Sequence, residues 1–375
     1  MIIGIPKETL ANECRVPLLP QEIKRISSDD ISFQIESGAG LGAHFSDASY
    51  EEAGATLTTN IYEESEIIIK INPPTVDEID KLKNNSCLIS LINPFINHEI
   101  VKKLANNNIS TFCLELIPRT TYAQSMDVLS SQATVSGYRA VLNAALHMPK
   151  FFPMLMTPAG TIKPAQILVL GAGVAGLQAI ATANRLGAKV EAFDVRPAAR
   201  EQVESLGAKF LYMDLDDSAE TESGYAVEMD ENFIKKEMEL LHDASKRVDA
   251  IITTALIFGK KAPILIKDYM VNDMQKGSCI IDLAAENGGN CELTKTGEII
   301  NHDGIIIDGR LNLPSQVPFH ASQMLSKNIS KLLNDILSDG KIKFDMGNEI
   351  TKGCLLTHEG KISHELTKNI IEGKK

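Results

Sequence analysis

The chain has 375 residues, more than a single hydrophobic core ordinarily supports, so its length points to two domains. With 44% hydrophobic residues, 23% charged residues and a mean hydropathy of −0.03, it has the make-up of a soluble globular protein and not of a disordered one. The 37 Lys and Arg against 49 Asp and Glu leave a net charge of −12, which works against a phosphate backbone as ligand and removes nucleic acid from the expected partners.

The six cysteines, Cys14, Cys87, Cys113, Cys279, Cys291 and Cys354, contain no C-x-x-C pair and mostly sit in apolar runs. They read as reduced core residues of a reducing compartment. The opening "MIIGIPKETL" starts on a short strand without the basic and long apolar regions of a secretory signal. The longest apolar run, "ILVLGAGVAGLQAIATA", falls short of the about 20 residues that span a bilayer, and no membrane crossing is expected.

Along the first third, short β-branched runs alternate with helical stretches: "MIIGI", "SFQIES", "EIIIKIN", "CLISLIN" and "ISTFCLEL". That alternation predicts a parallel sheet with crossover helices, "NHEIVKKLANNN" among them. "SQATVSGYRAVLNAALHM" has helical spacing at Val135, Tyr138, Val141, Leu142 and Ala145, and the proline-rich tail behind it marks a boundary.

A second αβ series follows: "QILVL", a glycine turn, a helix, "KVEAFD", "AKFLYMD", the helix "NFIKKEMELLHDAS", "DAIITTA" and "SCIIDLA". Beyond "GIIIDG", apolar Met324, Leu325, Ile329, Leu332, Leu333 and Ile336 predict a helix of about five turns returning to the first domain. The expected fold class is α/β with two domains, each a mainly parallel sheet flanked by helices, the second a Rossmann NAD-binding domain. Residues 1–131 with 310–375 form one domain, and residues 132–309 the other.

"GAGVAG" places Gly171, Gly173 and Gly176 in G-x-G-x-x-G spacing, with Ala172 and Val174 between them. An apolar strand precedes the turn, a helix follows it, and Asp194 ends the next strand, the context a dinucleotide site requires. A carboxylate there accepts hydrogen bonds from the adenosine ribose hydroxyls and disfavours a 2′-phosphate, so NAD is expected over NADP. Arg196, beyond Val195, leaves two readings open: a group that can take up a 2′-phosphate, or a solvated surface residue. Thr254, Ala255 and Leu256 follow one strand and Glu286 and Asn287 the next, at carboxyl ends where ligands bind in open α/β sheets. Glu286 and Asn287 read equally as caps of the turn with Gly288 and Gly289, and Asp282 as a stabiliser of that loop. The acid-rich stretch around Tyr225 reads as a solvated loop or as a cover over the nucleotide.

The combination of "GIPKE…NECRV", "GAGVAG", "FDVRP", "TTALIFGKKAP" and "DLAAENGGNCE" resembles the alanine dehydrogenase/transhydrogenase superfamily. Within it the chain is similar to the NAD(H)-binding domain I, or alpha-1 subunit, of proton-translocating NAD(P) transhydrogenases. The resemblance runs in the same order from residue 1 to about residue 370. It implies direct hydride transfer between NADH and NADP+ held on a separate subunit or domain, coupled to proton translocation by the membrane portion. It also implies a homodimer, a membrane subunit and an NADP-binding beta subunit as partners, and a cytoplasmic position peripheral to the inner membrane.

In that family the segment matching "RTTYAQSMDVLSSQA" lies beside the nicotinamide. The resemblance implies that Arg119, Asp127 and Ser130 hold the carboxamide and its ribose, that Gln124 faces the NADP-binding partner, and that Tyr225 belongs to a loop closing over NAD. Read locally, Asp127 is equally a helix N-cap and Arg119 a surface charge. The alternative function is an alanine dehydrogenase-like enzyme, whose substrate grip matches Arg15 and Lys70, but transhydrogenases are similar at both positions, so these two residues do not discriminate. A dehydrogenase needs a general base, and the family's histidine position holds Asn93 here, with His98 five residues on. None of the eight histidines has metal-ligand spacing, and no metal is expected.

Overall fold

The computed structural model describes residues 1–212, 231–256 and 261–374. The chain divides into two compact units, Met1–Gln132 with Pro314–Lys375, and Ala133–Leu313. Both sequence junctions have local causes. The first falls inside the helix Val128–His147, where Gln132 stays with the first unit by accepting from Arg15 and donating to the Ala321 carbonyl. Leu313 stays with the second because its side chain is buried in that unit's core.

Each unit is built on a mainly parallel sheet. Across the first the order is Lys361–Ile362, Leu355–His358, Ser110–Cys113, Cys87–Ser90, Ile67–Ile69, Ile2–Ile5, Ser32–Glu36, Ala55–Thr58. The six strands drawn from the first 113 residues are parallel in 3-2-1-4-5-6 order, and the chain's last two strands extend the Ser110–Cys113 edge antiparallel. The second sheet runs Lys209–Phe210, Lys189–Phe193, Gln166–Leu170, Ala250–Thr253, Cys279–Asp282, Ile305–Asp308, Ile299–His302. Its six parallel strands repeat the 3-2-1-4-5-6 order, and the Ile299–His302 edge, which precedes its neighbour Ile305–Asp308 in the chain, is antiparallel.

The strands form where the apolar runs predict, because a strand covered on both faces buries odd and even residues alike. Ile167 and Val169 enter the core on one face of the second sheet, Leu168 and Leu170 the core on the other. In the first sheet Ile67 and Ile69 face one core and Ile68 the other. Each such side chain is fully buried and contributes about 2 kcal/mol of transfer free energy. The helix Pro318–Ile336 supplies Leu325, Ile329, Leu332, Leu333 and Ile336 to the first unit's core.

The proline-rich tail behind the helix Val128–His147 contains a small antiparallel hairpin, Leu155–Thr157 with Gly160–Ile162. The strand Lys209–Phe210 is two residues long, and Leu211 and Tyr212 lie beyond its end. Ala55–Thr58 and Ile299–His302 are edge strands with exposed residues and too little apolar patterning to stand out. No helix among the described residues is long and apolar enough to cross a membrane.

Asp282 ties the loops at the carboxyl end of the second sheet and is almost wholly buried. Its Oδ1 accepts from the Thr253 hydroxyl at 2.9 Å and the Ala284 N–H at 3.0 Å. Its Oδ2 accepts from Asn290 N at 2.9 Å, Cys291 N at 3.1 Å and the Thr294 hydroxyl at 2.6 Å. Replacing it by Ala leaves buried donors without an acceptor, at a cost of about 3 kcal/mol. Asp282→Ala is expected to lower the melting temperature by about 10 °C, and a shift below about 2 °C would refute this role.

Candidate functional site

In the second unit the sheet order reverses between Gln166–Leu170 and Ala250–Thr253, so connections leave these neighbours on opposite faces and open a crevice at their carboxyl ends. Gly171 turns there with φ +94°, its N–H donating to the Phe193 carbonyl at 2.8 Å. A Cβ on Gly171 would lie 2.6 Å from Thr254 Oγ1, and one on Gly176 only 1.8 Å from the Gly171 carbonyl oxygen. Both glycines are therefore required by close backbone approach inside the protein. Gly173 differs, because a Cβ there meets nothing within 4 Å. It is the N-cap of the helix Val174–Arg185, whose first-turn N–H groups have no side-chain cap. Open space over a bare helix N-terminus suits a pyrophosphate.

The opposite lip is held as firmly. Thr254 N donates to the Leu170 carbonyl at 2.8 Å and its hydroxyl to the Gly171 carbonyl at 2.9 Å. Ala255 exchanges hydrogen bonds with the buried Asn290 side chain, which also donates to the Pro263 carbonyl at 2.8 Å. Asn290 was not legible as a site residue, since its partners lie far away in sequence. Gly137, on the helix Val128–His147, is another: a Cβ there would strike the Ala175 carbonyl at 2.1 Å, so it lets the two helices meet. Apolar Val174, Val195 and Leu256 stay exposed around the crevice at 43%, 44% and 53%, a surface that a nucleotide can cover.

Asp194 follows the strand Lys189–Phe193 with its carboxylate turned back onto the glycine turn. Oδ2 accepts from Ala172 N at 2.7 Å and from Arg196 Nη2 at 2.9 Å; Oδ1 accepts from Arg196 N and Nε, both at 2.9 Å. Burial alone would raise this carboxyl, but the Arg196 guanidinium and the backbone donors hold it below the usual range. Arg196 is thus a partner of Asp194, neither a solitary surface charge nor a free cation. Glu286 and Asn287 lie in a 3-10 turn closed by Gly288 at φ +97°, where Asn287 accepts from Ala262 N and Glu286 is exposed. Tyr225 and its acid-rich segment lie outside the described residues.

In the first unit, the segment from Arg119 to Ser130 is pinned at several points. Thr120 donates to Glu349 Oε1 at 2.9 Å and Tyr122 to Asp335 Oδ1 at 2.5 Å, while Asn328 donates to the Ser125 carbonyl at 2.8 Å. Ala123 and Met126 are buried between these anchors, leaving Arg119 and Gln124 exposed. Asp127 caps the helix Val128–His147: Oδ1 accepts from Ser130 N at 2.8 Å and Oδ2 from Ser130 Oγ at 2.6 Å. The helix consequently begins three residues before the spacing from Ser131 suggests. The structure brings Asp127 and Ser130 into direct contact.

The first sheet has its own switch point, between Ile2–Ile5 and Ile67–Ile69, and beside it Glu8, Glu13 and Arg15 line a cavity of about 170 Å³. Arg15 donates from Nε to Glu13 Oε1 at 2.8 Å and from Nη2 to Glu13 Oε2 at 2.6 Å. Lys70 lies 2.7 Å from Glu78 Oε1. Glu8 accepts from the backbone N–H groups of Ile71 and Asn72, and burial pushes its carboxyl up against the pull of Lys70. Both cations matched to a substrate grip are neutralised from within the chain. Asn93 occupies a left-handed turn at φ +52°, with its N–H and that of Ile92 donated to half-buried Glu115. His98 Nε2 sits 2.9 Å from the Phe95 carbonyl at the start of its helix. Glu8, Glu13 and Glu115 were missed by sequence reasoning, because single carboxylates in strand-end loops carry no periodic signal.

Two switch points, one open over glycines and one lined by paired charges, define a dinucleotide-type α/β protein, and its sequence assigns the group. The chain belongs to the alanine dehydrogenase/PNT family, whose N-terminal domain matches residues 4–136 and whose C-terminal domain matches residues 140–365. It is 42% identical over 376 residues to a Rhodospirillum rubrum protein named as the first portion of NAD(P) transhydrogenase subunit alpha, covering 97% of this chain and 98% of that protein. The solved structure of a transhydrogenase from Sinorhizobium meliloti superposes with a TM-score of 0.86 at 39% identity, over 98% of this chain and 100% of that one. Alanine dehydrogenase of Bacillus subtilis is 26% identical over 377 residues, 97% of this chain and 93% of that protein.

The two kinds of glycine predict different failures. Gly176→Ala should destabilise the second unit by several kcal/mol through backbone collision, whereas Gly173→Ala should melt within about 2 °C of the parent yet bind NADH at least about tenfold more weakly. Equal melting temperatures for the two variants would overturn the distinction.

Glu13 sets an acid limit. Burial opposes its ionisation, but Arg15 outweighs burial and draws the carboxyl from its ordinary 4.5 down to about 2. A depressed folded-state value means stability that is complete above about pH 4.5 and is lost as pH falls toward 2. Glu13→Gln should cost about 3 kcal/mol at pH 7, by leaving buried Arg15 half paired, and flatten the stability profile across that window. Acid unfolding followed by circular dichroism reads both, and an unchanged acid limb would refute the assignment.

Proposed function

We propose that this chain is the NAD(H)-binding component of a proton-translocating NAD(P) transhydrogenase. In this reading it holds NADH for direct hydride transfer to NADP+ carried by a separate domain or subunit. The observation that carries the reading is the 42% identity, across nearly the whole length of both chains, to a protein named as a transhydrogenase alpha subunit. The internal pairing of Arg15 with Glu13 and of Lys70 with Glu78 supports it against an amino-acid dehydrogenase, whose carboxylate substrate would have to displace two buried ion pairs. The amide of Asn93 cannot accept a proton, and the His98 Nε2 faces a carbonyl.

The glycine turn of the second unit offers N–H groups of the helix Val174–Arg185 to the pyrophosphate, and Asp194 accepts from the adenosine ribose. Arg119, Asp127 and Ser130 position the carboxamide and nicotinamide ribose, with Gln124 toward the NADP-bearing partner. Bound NADH supplies the hydride from its C4 carbon, so one C–H bond breaks at the donor ring and one forms at C4 of NADP+. Only a hydride moves between two nicotinamides, so the protein has no proton to abstract and its task is alignment within about 3 to 3.5 Å. Asp127 and Ser130 are suited to this because each already fixes the other, which removes rotamer freedom before the nucleotide arrives. The partners in this reading are an NADP-binding beta subunit, an integral membrane subunit and a second copy of the chain. The chain would lie on the cytoplasmic side, attached to the inner membrane through those subunits.

Two assays of the purified chain test the proposal: NAD reduction with alanine, and oxidation of NADH by an NADP+ analogue after addition of a transhydrogenase NADP-binding domain. Activity is expected only in the second, and alanine turnover by the chain alone would overturn the reading. Asp127→Asn retains a capping acceptor for Ser130 N while removing the charge, so the fold should survive. Single-turnover hydride transfer should slow at least about tenfold. An unchanged rate would remove Asp127 from the positioning role.

A further inference from the structure

A carboxylate offers about four acceptor positions, and all four on Asp194 are taken. Two donors are backbone N–H groups, Ala172 N on Oδ2 and Arg196 N on Oδ1, and these belong to the glycine turn and the strand end. They cannot leave without unmaking the turn. The other two, Arg196 Nη2 on Oδ2 and Nε on Oδ1, belong to one side chain and place one donor on each oxygen. A vicinal diol has the same demand, two hydroxyl donors directed at one carboxylate. The Asp194 side chain is 8% exposed and that of Arg196 58% exposed, so the acceptor is fixed while the guanidinium can swing into water.

We infer that Arg196 is a built-in competitor for the adenosine ribose: its guanidinium occupies the two acceptor positions on Asp194 that the 2′- and 3′-hydroxyls must take, so nucleotide binding exchanges a charged fork for a diol. This rests on the reading of Asp194 as the ribose-binding carboxylate. The exchange trades two hydrogen bonds between opposite charges for two from neutral hydroxyls to the same carboxylate, and the loss of the ion pair lowers affinity for NADH. The mutual stabilisation of the pair, which holds the carboxyl down and the guanidinium up, agrees with its being occupied before the nucleotide arrives. Arg196 thereby becomes a determinant of affinity and specificity. Displaced from Asp194, it is the cation nearest in sequence that a 2′-phosphate would attract.

The test is titration of the full chain with NADH, followed by nucleotide fluorescence, for the parent, Arg196→Ala, Asp194→Asn and the double variant. Arg196→Ala should bind NADH about two- to fivefold more tightly, the range expected for releasing a half-exposed ion pair. Asp194→Asn should weaken NADH binding, and in that background removal of Arg196 should change nothing further, because the two act through one contact. Arg196→Lys, which can remake at most one of the two side-chain bonds, should fall between parent and Ala. Weaker or unchanged binding in Arg196→Ala, with Asp194→Asn still weakened, overturns the competition and leaves the ribose contact standing. Unaltered binding in Asp194→Asn overturns the ribose contact itself, and the competition with it.

Discussion

The structure depends on how backbone N–H groups are satisfied where parallel strands end. At the carboxyl edge of such a sheet the ladder stops, and a donor left buried without an acceptor costs on the order of 1 to 3 kcal/mol. Both units answer with carboxylates, Asp282 buried and Glu8, Glu115 and Asp194 half-buried. Glu8 receives the N–H groups of Ile71 and Asn72, Glu115 those of Ile92 and Asn93, Asp194 that of Ala172, and Asp282 those of Ala284, Asn290 and Cys291. The loops at both carboxyl edges are therefore shaped by the carboxylates that take up their backbone donors.

The same strand order yields two different crevices. In the second unit the residues at the reversal are glycines and small side chains, which leave room above the helix Val174–Arg185. In the first unit the corresponding place receives Glu13, Arg15, Lys70 and Glu78, whose pairing consumes the charges that a small carboxylate would need. A crevice that keeps its cations yet neutralises them is consistent with a fold whose relatives include both dehydrogenases and transhydrogenases. In the proposed transhydrogenase role, the chemistry left to such a chain is alignment of a hydride donor, which calls for rigid polar contacts and no proton acceptor.

Much of this was written locally in the sequence. The alternation of β-branched runs with helical stretches specifies parallel α/β architecture, because strands buried on both faces must be apolar throughout. The G-x-G-x-x-G turn is legible for a similar reason: its requirements are met within six residues, where the Gly176 Cα lies against the Gly171 carbonyl. Asp127 was readable both as a cap and as a ligand. Its contact with Ser130 shows the cap, and that geometry also restrains the pair, which suits the proposed positioning role.

By itself, then, the sequence determined which segments become buried strands, where the glycine turn lies and which carboxylate follows the next strand, since each rests on contacts between near neighbours. Tertiary structure alone decided the rest. It placed the last two strands antiparallel on the Ser110–Cys113 edge, assigned Glu13 to Arg15 and Glu78 to Lys70, and pinned the Arg119–Ser130 segment through Asn328, Asp335 and Glu349. It also set the Arg196 guanidinium on Asp194 rather than in water. The contacts of the Arg119–Ser130 segment join residues about two hundred positions apart, and the ion pairs, though close in sequence, follow no helical or strand period, so neither leaves a periodic trace along the chain.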